Sequence, residues 1–395
     1  MSVSWWIGRK PETEDRSPVM NRMRIQDIKR ATSSINLFYR TAHELYYFFF
    51  RTPFSVFRFP LPVFLFVVGC NQSPEKQRDD FVLRGNLQLE KGEYQEAIRY
   101  YNEAIQIDPN SAVTYNNRGT AHTNLGRFPE AITDYTRAIN SQANYVDAYF
   151  NRANAYQQNG NYQRSLVDLD TVLNYYPDSA YVHFSQGLAF TGLKHYTEAE
   201  QAFSQAIQLD SINAESWVNR ATVYYYQQDY QQAQQDIQRA IDLDAKESNA
   251  YNVLGLVYTE VQEYDAATEA FTQALQLQPY QPYFLNNRAY LYLQIDSLDA
   301  AEKDLRASMR LDSKNSYVYR NQGLFYLKKD QPQDALRLFE RAVELDTATQ
   351  DIYYYLGHAY QQLGQGEQAC ATWMGSPEAN NHKIKEALQQ YCQSY

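Results

Sequence analysis

Between residues 78 and 375 the apolar positions fall into pairs of helix-spaced runs, and the pairs recur every 34 residues. A small residue marks each unit, from Gly85 and Gly119 through Ala153, Gly187, Ala221, Gly255 and Ala289 to Gly323 and Gly357, with no insertion or deletion. Twelve residues on stands a second small residue (Ala97, Ala131, Ser165 and so on to Ala369), and seven beyond it a third from Ala104 to Ala342, with Val172 as the exception. Columns in register at one period mark a tandem repeat.

Within one unit, Tyr115 to Ile139, apolar residues keep helical spacing on both sides of Leu125-Gly126. Gly126 suits the end of a first helix and Pro129 the opening of a second. The small columns let the two helices approach closely, while Tyr115, Phe128 and Tyr135 fill the space between. Turns at Asp108–Asn110, Tyr176–Asp178 and Gln278–Tyr280 then break the chain. A single helix pair cannot bury its apolar face, so the units are expected to stack into an all-α solenoid of eight to nine repeats over 78–375. Residues 376–395 form its end. There Ile384, Leu388 and Tyr391 share one face of a helix that is otherwise polar, as a capping helix requires.

The unit length, the paired small residues and an aromatic four positions before the first of them (Tyr115, Tyr149, Trp217, Tyr251, Tyr319, Tyr353) resemble the tetratricopeptide repeat family. The resemblance implies a right-handed superhelix that binds other proteins. One departure is mild: the Pro after the second helix stands only at Pro109, Pro177 and Pro279, with Ala143, Ser211, Ala245, Ser313 and Thr347 in its place elsewhere.

Polar residues also fall in columns. Arg118, Arg152, Arg220 and Arg288 precede the small residue, and the same units carry Asp134, Asp168, Asp236 and Asp304 sixteen residues later. Units with Gln186, Leu254 or Gln322 instead carry Ala202, Ala270 or Leu338, and with Arg84, which faces Tyr100, as the exception the Arg and Asp occur together and read as ion pairs between the helices of a unit. Asn117, Asn151, Asn219, Asn287 and Asn321 show no such partner within the unit. The resemblance places this column on the concave face, where it is similar to the asparagine ladder by which some superhelices of the family grip an extended peptide. An amide can donate to and accept from any peptide bond; the alternative is that these Asn cap or hydrate the first helix. Tyr225, Tyr226, Tyr283, Tyr290 and Tyr317 are expected to line the same groove with Tyr181, while Tyr115, Tyr149, Tyr156, Tyr258 and Tyr326 belong to the core. Arg320 and Lys328 are the only cations expected there, too few to clamp an acidic tail.

Charge narrows the partners. The chain holds 36 Lys+Arg against 46 Asp+Glu, but residues 1–69 carry 10 basic and 5 acidic side chains, which leaves 26 against 41 beyond them. So acidic a body is repelled by phosphate backbones, and no nucleic acid is expected as partner. The expected partner is a protein or peptide, with self-association also open. The six His show no metal spacing, and neither a phosphate loop nor a nucleophile elbow occurs. Asp168 and Asp170 read as solvated carboxylates. With the repeats filling the chain, no enzyme, cofactor or metal is expected.

The positive leader ends in Phe59–Gly69, an apolar run too short to span a bilayer, then Cys70. Val67-Val68-Gly69-Cys70 resembles the lipobox of bacterial lipoproteins, whose Cys is diacylated and becomes the new N-terminus; Val67 departs from the usual Leu. This implies that residues 1–69 are a signal peptide, that Cys70 is the lipidation site, that 70–77 form a tether, and that the protein sits in the cell envelope facing the periplasm. An uncleaved span from Tyr46, interrupted by Arg51 and Arg58, is the alternative, leaving an inner-membrane or cytoplasmic adaptor; an architectural spacer is a third. Residues 1–45 exceed an ordinary n-region, suggesting a start beyond Met23. The ending Ala369-Cys370-Ala371-Thr372-Trp373 with Tyr391-Cys392 resembles that of many lipid-anchored bacterial repeat proteins. A turn at Asn380-Asn381 would set Cys370 opposite Cys392, so a disulfide is expected there, two buried thiols being the alternative.

Overall fold

The computed structural model describes residues 73–378 and 381–393. Among them are nineteen helices and no strand: nine helix pairs and one closing helix. The first helices are Pro74–Glu90, Ala112–Asn124, Val146–Gln158, Ala180–Gly192, Ala214–Tyr226, Ser248–Glu260, Pro282–Gln294, Ser316–Lys328 and Ile352–Gln362. Their second helices are Tyr94–Ile107, Phe128–Ser141, Tyr162–Leu173, Tyr196–Leu209, Tyr230–Leu243, Tyr264–Leu277, Leu298–Leu311, Pro332–Leu345 and Gly366–Met374, and His382–Tyr391 closes the array. We number these pairs as units one to nine. The first helix begins at Pro74, so the last four residues of the expected tether are helical: proline's fixed φ and missing N–H suit a helix start. Residues 1–69 and the tether as far as Gln72, Cys70 included, lie outside the described residues, as does Asn380 of the expected turn.

Each unit turns at one left-handed residue. Gly92, Gly126, Gly160 and Gly364 hold it with φ of 71–77°, while Lys194, Gln228, Gln262, Asp296 and Asp330 adopt φ of 56–64°. Between units, an Asp after the second helix accepts a backbone N–H two residues on, as at Asp244 (2.9 Å) and Asp312 (2.9 Å). The aromatic four before the small residue reaches back over that turn: Trp217 Nε1 donates to the Ser211 carbonyl and Tyr251 Oη to that of Ala245.

The core of each unit is a size match sixteen residues apart. Where the first small residue is Gly, it faces an aromatic ring: Tyr101, Tyr135, Phe203, Phe271, Phe339 or Trp373. Where it is Ala (Ala153, Ala221, Ala289), the residue sixteen later is Leu169, Ile237 or Leu305. All of these large residues are at most 2% exposed. The small residue and its partner sixteen residues on thus trade volume across the helix pair.

Candidate interaction surface

First helices pack on the first helices of neighbouring units, whereas second helices make no comparable contact with one another. The array therefore curves with the first helices inside, and the side chains they turn away from the second helices form an inner wall.

The Arg–Asp column is fully paired. Arg118, Arg152, Arg220 and Arg288 each grip their own unit's Asp134, Asp168, Asp236 or Asp304 with Nε and Nη2 at 2.6–3.0 Å. Asp168 is buried at 3% exposure, not solvated as its carboxylate was read; Asp170 is exposed. The sequence pattern missed a third arm: Nη1 donates to Asn102, Thr136, Ser204 or Thr272, each sixteen residues earlier on the preceding second helix. One guanidinium so joins two units. Burial pushes the Asp236 carboxyl up more than Arg220 pulls it down. Such a pair adds little net stability, yet is expensive to break from one side.

The asparagine column needs correction, because it has partners that lie across the unit boundary. Asn151, Asn287 and Asn321 donate Nδ2 to Oδ1 of Asn116, Asn252 and Asn286, thirty-five residues earlier, at 2.9–3.0 Å. Asn117, whose counterpart thirty-five residues back is Val82, reaches Asn86 instead at 2.9 Å. Asn219, facing Phe184 at that lag, donates to its own helix at the Glu215 carbonyl, 2.8 Å. Asn219, Asn287 and Asn321 are buried, and only Asn117 and Asn151 keep partial exposure. The column mainly stitches units together. The signal was present: wherever Asn stands three before the small residue, the next unit has Asn two before its own.

The expected tyrosines meet, but they meet one another. Tyr226 stacks on Tyr196 at 5.2 Å and lies edge-on to Tyr225 at 5.6 Å. Burial pushes the Tyr226 phenol far above its ordinary value, and the nearby Tyr317, three units ahead, adds to it; its hydroxyl has no hydrogen-bond partner. Tyr225 is raised by burial and by Glu260, with Tyr290 also close, and Tyr290 shares a hydrogen bond with Tyr355. Burial takes Tyr317 up to about 12 against the pull of Arg320. Tyr283 is apart from this group: it packs on Phe284 and donates to Asn249 Oδ1 at 3.1 Å. Arg320 lies between the Tyr290 and Tyr317 rings and bonds Asn321 Oδ1 and the Gln350 carbonyl. Lys328 pairs with Asp296 at 2.5 Å. Tyrosines of units five, seven, eight and nine thus approach one another across the inner wall. In units two to four it is open and polar: Thr120, Asn124, Asn154 and Gln158 are partly exposed, beside Val113 at 48% and Tyr181 at 57% exposure.

At the far end Cys370 and Cys392 are disulfide-bonded, with Cα atoms 5.7 Å apart. The closing helix buries Ile384 and Ala387 against Ala369 and Trp373, and Lys383 bridges to Asp351 at 2.6 Å. Among the described residues no group of His, Cys, Asp or Glu is placed to hold a metal ion, and no helix is long and apolar enough to cross a membrane.

Such a wall, carried on stacked helix pairs, defines a helical-repeat solenoid. Sequence profiles described as TPR repeat match residues 85–126 and 119–160, and profiles described as tetratricopeptide repeat match 150–213, 213–279 and 260–316. The chain belongs to the tetratricopeptide repeat family. No curated protein matches its sequence. Among solved structures it is similar to the APC/C hetero-tetramer Cut9-Hcn1 (14% identity, TM-score 0.54, covering 80% of this chain and 76% of that one). It is also similar to a tetratricopeptide repeat protein of Parabacteroides merdae (18%, 0.43, 72% and 99%) and to pilF of Pseudomonas aeruginosa (18%, 0.45, 52% and 94%). At these identities the first likeness speaks to the fold alone. Tetratricopeptide repeats are in general scaffolds for binding other proteins, without catalysis of their own.

Proposed function

We propose that the protein is a non-enzymatic scaffold of the bacterial cell envelope, anchored by a lipid on Cys70, that holds a polypeptide on its inner wall. One observation carries the binding reading: the wall of units two to four is partly exposed and amide-rich, while beyond it tyrosines of units five, seven, eight and nine approach one another. Amides match the backbone of any extended chain, and Tyr181, packed on Phe150 at 5.1 Å, offers an aromatic platform beside them.

The anchor reading rests on Val67-Val68-Gly69-Cys70 and on Pro74, which opens the first helix four residues later. Metabolic labelling with palmitate tests it: label that persists in Cys70→Ala defeats the anchor. Replacing Asn124, Asn154 and Tyr181 by Ala tests the wall, and a scaffold loses its partner. An architectural spacer is the second reading, favoured by the internally paired Asn column and by the mutual contacts of the tyrosines, and it predicts no loss.

A further inference from the structure

Arg320 of unit eight is a buried cation, 8% exposed. The four column arginines are less buried and each holds an Asp, but among the described residues no carboxylate pairs with Arg320. Its hydrogen bonds go to neutral oxygens: Nε and Nη2 to Asn321 Oδ1 at 3.1 and 2.9 Å, and Nη1 to the Gln350 carbonyl at 3.1 Å. A guanidinium carries five N–H donors, so two are left over. Asp351, which shares Tyr355 as a neighbour, is taken by Lys383 Nζ at 2.6 Å and Asn381 Nδ2 at 3.1 Å. Glu378, near Tyr317, is pushed up toward its neutral form by burial and by Asp351. A buried charge without a counter-charge is costly, and such groups are kept paired.

The surroundings are rich in donors and short of acceptors. Arg320 stands three before Gly323, where Asn116, Asn252 and Asn286 accept from an Asn thirty-five residues on. At that lag from Arg320 stands Tyr355, which hydrogen-bonds Tyr290 instead. The Tyr290 and Tyr317 rings lie against the guanidinium, with centroids 5.3 and 4.9 Å from Cζ. Cation–π contact offsets part of the burial but takes up no N–H. Tyr317 Oη accepts from the Gln350 N–H, so its own proton is left without an acceptor, as is one of the Tyr290–Tyr355 pair. Two N–H and two O–H donors are thus gathered where the protein supplies no oxygen to receive them.

We propose that Arg320, with Tyr290, Tyr317 and Tyr355, binds a small free oxyanion, a carboxylate or a phosphate-type ion, on the inner wall. Bound there, the ion joins units seven, eight and nine through charge-assisted hydrogen bonds, the strong kind. One cation suits a small ion rather than an acidic tail. The site is separate from the wall of units two to four, and neither reading depends on the other.

The test is isothermal titration calorimetry on the full-length chain, purified in detergent and held in Tris chloride. Inorganic phosphate is the probe in one arm and acetate in the other. At least one should bind saturably, with Kd below about 1 mM. Phosphate alone marks a tetrahedral ligand, acetate alone a carboxylate, and both an unselective oxyanion site. Arg320→Gln should weaken binding about ten- to a hundredfold, through loss of hydrogen bonds from a charged donor. Arg320→Lys keeps the charge without the planar fork and should weaken it too, which decides the matter if the Gln variant does not fold. Lys328, on the same helix, is already paired with Asp296, so Lys328→Gln should bind as wild type does. No saturation by either ion up to about 10 mM, or unchanged binding in the Arg320 variants, overturns the site. An equal loss in Lys328→Gln would show general attraction to positive charge and overturn it as well.

Discussion

Replacing Gly255 by Ala should destabilise the sixth unit, although Ala is the better helix former by about 0.5–1 kcal/mol. The new Cβ would stand 2.7 Å from both Cδ1 and Cε1 of Phe271, a ring that is fully buried and cannot swing away. Overpacking of this kind costs about 1–3 kcal/mol, so a net loss of roughly 1–2 kcal/mol is expected. Phe271→Leu alone should also destabilise, by on the order of 1–2 kcal/mol, because it leaves a void beside Gly255. The two together recreate the Ala–Leu match that units three and seven already use at Ala153/Leu169 and Ala289/Leu305. Urea unfolding followed by circular dichroism, on wild type, both single variants and the double, gives the coupling energy directly. We expect the double variant to be more stable than the sum of the singles predicts by about 1–3 kcal/mol. Additivity within about 0.5 kcal/mol would show that the two residues do not trade volume, and the reasoning would fail.

Three further outcomes follow from the same geometry. Arg220→Ala should cost about 3–5 kcal/mol by stranding Asp236, and Arg220→Met with Asp236→Leu much less; equal losses in thermal melts would contradict the pairing energetics. Burial among Tyr354, Trp373 and Tyr391 holds the His358 imidazole below its ordinary value. A depressed His favours its neutral form in the fold, so its contribution is intact above pH about 6.5 and is lost as the pH falls below that. The fall in melting temperature between pH 7 and 5 should be smaller in His358→Phe, and an unchanged fall would refute the assignment. Breaking the Cys370–Cys392 link, whose ends are 22 residues apart, should loosen the closing helix by about 2–3 kcal/mol, read as faster amide exchange over residues 382–391.

What could be read from the sequence depended on how far along the chain each partner lay. The Arg–Asp pairs lie within one unit, sixteen residues apart, and their joint presence showed in the columns. The Gly–ring and Ala–aliphatic match was equally legible at that spacing, yet only the small half of it was used. The asparagines pair at a lag of thirty-five, across a unit boundary, so a search within units left them without partners. The tyrosine block was out of reach for another reason. Sequence columns tell which side of a helix a residue takes, but curvature decides that Tyr226 approaches Tyr317, ninety-one residues away. That curvature is the sum of small rotations between units, none of which is written at a single position.

The central claim is that a polypeptide lies on the open inner wall of units two to four. Its most direct test places a photo-reactive amino acid at Asn154 on that wall and, separately, at Val167 on the second helix of the same unit, which is 62% exposed. Illuminated in intact cells, the Asn154 protein should form a discrete adduct with one polypeptide, and the Val167 protein should not. The same adduct from both positions, or none from Asn154, would contradict it.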